Sequence, residues 1–177
     1  MNFLKNTKVK LAIRGDKNAF VDLINDNRLS LYRVSKGILG RDDQVEDAIQ
    51  NTILKAYEGI NTLKKSGYFK TWLIRILINE CNSISRKNKK VVYLEESTIT
   101  GKYEDNYKDI DLTRAINSLD DNLRQVVILY YFEDMPQKEI AKLLNINETT
   151  VRTRLVRARN KLFQLLKSDY REDVNNE

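Results

Sequence analysis

Arg152, Thr153, Val156 and Arg157 are the residues whose types and spacing most directly imply chemistry with a ligand. At about 100° per residue on a helix, Val151, Leu155, Ala158 and Leu162 share one stripe. Thr153, Val156 and Asn160 fall opposite, and Arg152 and Arg157 lie on the flanks. A guanidinium can fork onto a guanine edge or a phosphate, and Thr and Val offer small contacts to base edges. The chemistry implied is non-covalent reading of nucleic acid. Surface helices are often rich in Arg and Lys for solvation alone, so this helix would not decide the matter by itself. Its setting does more. A short helix with an apolar side (Ile140, Ala141, Leu143, Leu144) precedes it, Asn145-Ile146-Asn147 interrupts with turn-tolerant residues, and Glu148 is the acid at the second helix's start. Pro136 suits a first helical position. Pro136 to Phe163 therefore predicts a helix-turn-helix whose second helix docks in a DNA major groove.

A second cationic stretch lies upstream. Tyr68 to Arg86 predicts a helix that is apolar over a wide arc and comes after a polar loop, Asn61 to Gly67. Between Phe69 and Lys90 the cations are Lys70, Arg75, Arg86, Lys87, Lys89 and Lys90, against Glu80 alone. Phosphate binding is one reading; a basic helix end also suits the helix dipole. Phe69 and Trp72 read as core anchors rather than stacking platforms. The preceding helix, Asp42 to Ile60, buries Val45, Ala48, Ile49, Thr52, Ile53 and Ala56, and turns Asp43, Glu46, Asp47 and Gln50 outward. The dipole accounts for Asp42 and Asp43. It explains Asp47 and Gln50 less well, and a protein-binding face is the alternative.

The composition excludes several classes. The chain has 177 residues, a formal net charge of +6, no histidine and one cysteine, Cys81. An internal disulfide, a Cys/His zinc site and a His-based triad are therefore ruled out. The carboxylates are spread along helix faces, and no pair sits in a motif with a positioned base. We expect no metal, no cofactor, no catalytic residue and no small-molecule substrate. No apolar run is long enough to span a membrane, and MNFLKNTKVKLAIRGD lacks the apolar core of a secretory signal. A cytoplasmic protein with a polyanionic partner is expected.

One proline, six glycines and three- to four-residue apolar spacing predict an all-α chain of two small helical domains joined by an acidic flexible linker. The first domain spans residues 1–90. Within it, 11–39 reads as helix broken at Gly15-Asp16, capped at Asn18 and stopped at Gly40. Residues 91–108 read as the linker. The second domain, 109–168, holds helices at Asp109–Leu119 and Asp120–Glu133, with Leu123, Val126, Val127, Tyr130 and Tyr131 packing it. A polar tail, 169–177, is expected to fray.

The order of segments resembles the extracytoplasmic-function (ECF) group of bacterial RNA polymerase sigma factors, across nearly the whole chain. The resemblance is carried by Asp47-Ala48-Ile49-Gln50-Asn51-Thr52 and by Phe69-Lys70-Thr71-Trp72-Leu73-Ile74-Arg75-Ile76 with Asn79 and Arg86. Further on it is carried by Leu119, Arg124, Val127, Glu139-Ile140-Ala141 and Thr150-Val151-Arg152-Thr153-Arg154-Leu155 with Arg157-Ala158-Arg159. It implies a sigma-2 domain at 1–90 and a sigma-4 domain at 109–168, with no room for sigma-1.1 or sigma-3. Asp43, Asp47, Gln50 and Asn51 would dock on the clamp helices of the largest polymerase subunit. Gly59, Leu63, Lys64, Lys70, Arg75, Asn79 and Arg86 would take the melted −10 element. Arg152, Thr153, Val156 and Arg157 would read the −35 element, with Arg154, Arg159 and Lys161 on phosphate or solvent. Sigma-4 would also meet the flap of the second subunit, and the linker would run through polymerase channels. A membrane-anchored anti-sigma factor would hold the protein at the membrane until an envelope or extracellular stress signal arrives. The chain departs from the group at Asn51, where most relatives have Glu, and at Leu63, where many have an aromatic ring. A stand-alone helix-turn-helix regulator is the alternative function. A metal-dependent nuclease lacks its motif, and a plain helical adaptor leaves both basic stretches unexplained.

Overall fold

The computed structural model describes the backbone of residues 2–92 and 107–174, with side chains for 6–87 and 112–167. Two compact units divide the chain at Lys90/Val91. Most of the acidic stretch expected as linker, residues 93–106, lies outside the described residues.

The first unit contains α1 (Asn2–Ile13), α2 (Lys17–Leu39), α3 (Asp42–Gly59) and α4 (Phe69–Val92). Between α1 and α2, Gly15 takes φ +96°, and the Asp16 side chain caps α2 by accepting from the Ala19 N–H at 3.0 Å. The cap is thus Asp16, not the expected Asn18. Asn18 sits inside the first turn, where its side chain cannot reach the free N–H groups in the capping geometry. Gly40, at φ +79°, closes α2 by donating to the Lys36 carbonyl. Phe20, Leu23, Leu31, Val34 and Ile38 of α2, Val45, Ala48 and Ala56 of α3, and Leu73, Ile74, Leu77 and Ile78 of α4 are buried. Two hydroxyls inside this core are satisfied locally: Ser35 donates to the Leu31 carbonyl and Thr52 to the Ala48 carbonyl. Lys8 of α1 bridges to Asp22 and Asp26 of α2. Two short 3₁₀ turns, Ile60–Thr62 and Ser66–Tyr68, join α3 to α4 and rest against α1.

The second unit contains α5 (Tyr107–Asn117), α6 (Asp121–Val127), a π-helical turn (Ile128–Phe132), α7 (Gln137–Leu144) and α8 (Glu148–Val174). Leu119, Val127 and Ala158 form a buried cluster, with Leu123 and Leu162 packed against it. The expected continuous helix through Glu133 widens instead at Ile128, whose carbonyl accepts from the Glu133 N–H. The wider turn carries one extra residue and rotates the side chains beyond it. Ile128 and Leu129 thereby become core, Tyr130 is half-buried, and Tyr131, expected inside, is 49% exposed. Pro136 stands just before α7 rather than inside it, and its carbonyl accepts from Glu139 and Ile140. The backbone of α8 stays helical to Val174, beyond the point where fraying was expected.

Candidate nucleic-acid interface

The pair α7–α8 builds one candidate surface. Asn145 ends α7 in the left-handed region (φ 54°, ψ 48°), a conformation that Asn tolerates better than most residues. The N–H groups of Asn145 and Ile146 both return to the Ala141 carbonyl, which closes the turn. Ile140, Ala141 and Leu143 of α7 and Val151, Leu155 and Ala158 of α8 are buried together in the unit's core. With that stripe held, Arg152, Thr153, Val156 and Arg157 must point outward, and all four are exposed. The helical rise of about 1.5 Å per residue puts Arg152 and Arg157 about 7.5 Å apart along the axis, inside the width of a major groove. The Thr153 hydroxyl donates to the Thr149 carbonyl at 2.9 Å, so toward a ligand it offers its methyl and its lone pairs. Arg159 is exposed and Arg154 half-buried. Lys161, expected on phosphate or solvent, reaches Asp120 at 3.4 Å and tethers α8 to the start of α6. Arg124 likewise serves the fold: it donates to the Leu119 carbonyl at 2.8 Å and pairs with Asp121.

In the first unit the residues expected on single-stranded DNA come from one loop and one helix. Gly59 is half-buried beside Trp72; a Cβ there would meet the indole at 3.6 Å, an ordinary contact. Leu63 is half-buried, and its N–H donates to Ile60. Lys64, Lys70, Arg75 and Arg86 are exposed, as is Asn79. Helical arithmetic puts Arg75, Asn79 and Arg86 within about 40° of one another, whereas Lys70 leaves α4 about 140° from Arg75. Arg75, Asn79 and Arg86 therefore share a side and Lys70 does not. Phe69 is a core residue as expected, but Trp72 is only half-buried, its ring 5.9 Å from Phe69 at the Gly59 end of α4. A Lys55–Glu80 ion pair at 2.6 Å ties α3 to α4.

The outer face of α3 holds Asp43, Asp47, Gln50 and Asn51. Asp43, Asp47 and Asn51 are exposed, and Gln50 stands between Asp47 and Leu54 at helical spacing. They are not equivalent. Arg41 grips Asp43 through Nε and Nη2 at 3.1 and 2.8 Å, and this hydrogen bonding holds the carboxyl below its usual range. Asp47 has no ion pair among the described residues. Leu54 sits on the same face at 61% exposure, in the middle of the polar residues. Its helical spacing from Asp47 and Gln50 is the signal in the sequence that places it there.

Two family profiles match the chain: Sigma-70 region 2 over residues 23–91 and Sigma-70, region 4 over residues 109–162. These profiles define the class, a sigma-70-type transcription initiation factor that binds DNA. RNA polymerase sigma factor SigV of Bacillus subtilis (strain 168) is 34% identical over 158 residues, covering 86% of this chain and 95% of the relative. ECF RNA polymerase sigma factor SigW of the same organism is 28% identical, over 94% of this chain and 99% of the relative. Among solved structures, the sigma factor RpoE from Bartonella quintana, determined in complex with the anti-sigma factor NepR, superposes with a TM-score of 0.69 at 27% identity. That superposition covers 84% of this chain and 98% of the other. The chain belongs to the ECF subfamily of sigma-70-type RNA polymerase sigma factors.

Proposed function

We propose that this sigma factor joins polymerase to promoter DNA at two points, with each unit taking one promoter element. The observation that carries this is the outward row Arg152, Thr153, Val156 and Arg157 on a helix whose opposite stripe is locked in the core. That row reads the −35 element in the major groove. The loop after α3 and the side of α4 bearing Arg75, Asn79 and Arg86 hold the melted −10 strand, whose unpaired bases can be read on their edges. The acidic face of α3, with Asp47 as its main charge, docks on the clamp helices of the largest polymerase subunit. The second unit meets the flap of the second subunit, and the acidic stretch between the units runs through the polymerase channels. Neither unit needs tight DNA binding of its own, because tethering to the core makes the second contact intramolecular.

An anti-sigma factor holds the protein inactive, at the membrane, until an envelope or extracellular stress signal arrives. Support for such a partner comes from RpoE of Bartonella quintana, which was solved with one. No helix among the described residues is long and apolar enough to cross a membrane. The protein performs no catalysis; the polymerase does. The test is reconstitution with core polymerase and mapping of transcript starts. Starts that share a −35/−10 pair are the expected result. Tight, palindromic duplex binding by the chain without polymerase would favour a stand-alone regulator instead.

A further inference from the structure

The loop that reaches α4 carries an exposed aromatic ring. Tyr68 ends the second 3₁₀ turn, with its N–H donated to the Lys65 carbonyl at 3.0 Å, and the residue is 57% exposed. It stacks on no other ring among the described residues, whereas its neighbour Phe69 is 4% exposed and pairs with Trp72. Exposing a tyrosine face in an ordered turn forgoes the burial that aromatic residues usually obtain.

The electrostatics around it are one-sided. From Gly59 to Asn79 the chain has no carboxylate; Lys64, Lys65 and Arg75 supply positive charge, and Lys70 leaves α4 on the other side. The nearest acids in sequence are Glu58 and Glu80, and Glu80 is already engaged by Lys55. Continued at helical register, Tyr68 falls within about 20° of Arg75 and Asn79 and in line with Arg86. The ring therefore stands at the head of the same side of α4. An exposed ring at the head of a cationic track is the arrangement that binds single-stranded nucleic acid: cations track the backbone and the ring stacks a base. Leu63, the apolar residue of the same loop, is aliphatic and half-buried, so it offers no stacking face.

We propose that Tyr68 is the stacking platform for an unpaired base of the melted −10 strand, a role that rests on the first unit being the −10 module. The phenol ring does the work and its hydroxyl is dispensable. The turn that carries the ring is braced by its own backbone hydrogen bonds and rests against α1.

The test uses holoenzyme assembled from the full chain and core polymerase. The probe is a single-stranded oligonucleotide carrying the non-template −10 segment of a promoter defined by start-site mapping. Tyr68→Ala is expected to weaken binding about 5- to 150-fold, the range for loss of one base–aromatic stack. Tyr68→Phe should stay within about twofold of wild type, and both variants should retain core assembly and wild-type circular dichroism. Wild-type binding by Tyr68→Ala, while Arg75→Ala weakens it, overturns the role of Tyr68 and leaves the −10 reading of the unit intact. Equal weakening by Tyr68→Phe also overturns it, because the hydroxyl rather than the ring would then be the contact. If neither Tyr68→Ala nor Arg75→Ala changes binding, the −10 reading falls together with the stacking role.

Discussion

Replacing Arg157 with alanine separates base reading from mere phosphate attraction. Arg157 is exposed on α8 and has no ion pair among the described residues, so its removal breaks nothing in the fold. The stability change should stay within about 0.5 kcal/mol, as for other surface sites. Leu155, at 2% exposure on the opposite stripe, is the contrasting control; Leu155→Ala should cost roughly 2–5 kcal/mol and disrupt the helix pair itself. If Arg157 forks onto a guanine, its loss removes about 1–3 kcal/mol of discrimination at one base pair. At about 1.4 kcal/mol per tenfold, that is roughly a 5- to 150-fold effect. If it neutralises a phosphate, binding falls for every sequence alike and the slope of log affinity against log salt drops by about one. The assay is competition binding by holoenzyme on duplexes with single −35 substitutions, over a range of salt concentrations. Unchanged affinity and specificity would refute the placement of α8 in the groove. So would a loss of affinity for core polymerase with DNA binding intact.

The same geometry sets other outcomes. Asp47→Arg should prevent co-purification with core polymerase, because like charges placed in an interface cost several kcal/mol, on the order of a hundredfold or more in affinity. Asp43→Ala should do less, since Arg41 already shares that charge; recovery of core with Asp47→Arg at the wild-type level would sink the assignment. Asn145→Ala should lower stability by about 1 kcal/mol, because a Cβ disfavours the left-handed region without Asn's local hydrogen bonding, whereas Asn145→Gly should be tolerated. Urea midpoints for the two variants check this, and equal midpoints would contradict it. Burial pushes the Cys81 thiol up from 9.0 to about 12. Between those values the unfolded chain has lost its thiol proton and the folded one has not, so this group's contribution to stability falls as pH rises through that window. The slope approaches about 1.4 kcal/mol per pH unit. The stability difference between wild type and Cys81→Ala should therefore shrink as pH rises above about 9, and a pH-independent difference would contradict the burial argument.

Much of the fold was legible because it rests on helical periodicity. The stripe Val151, Leu155, Ala158 came from spacing alone, and once it was buried the outward row of α8 had no other direction to face. The apolar arc of α4 and the stops at Gly40 and Asn145 were readable for the same reason, since periodicity and left-handed residues are local signals. Other features turned on local competition that spacing does not resolve. Asp16 and Asn18 are both good caps, and the chain selected Asp16 because Gly15 at positive φ turns the backbone immediately before it. The π-helical turn at Ile128 has no sequence signature. It arises because packing Ile128 and Leu129 inside outweighs the regular register, and it sends Tyr131 to the surface.

The candidate site divides along the same line. Residue order by itself determined the helical class, the absence of His- or disulfide-based chemistry, the charge character of each segment and the faces of α3 and α8. These depend on side-chain type and on a rotation of about 100° per residue, which are properties of short stretches. Only the tertiary structure decided which charges stay available and which serve the fold. Lys161 is engaged by Asp120, Arg124 by the Leu119 carbonyl, and Asp43 is shared with Arg41, while Asp47 and Arg157 keep their charges unpaired among the described residues. It also decided that Phe69 is buried and the adjacent Tyr68 is not. The Arg41 and Arg124 contacts are made within a few residues of chain and turn on side-chain rotamers and local turn geometry, whereas the Lys161 contact depends on which helices pack together. Lys161 and Asp120 lie 41 residues apart in the chain, a separation over which no local periodicity carries information.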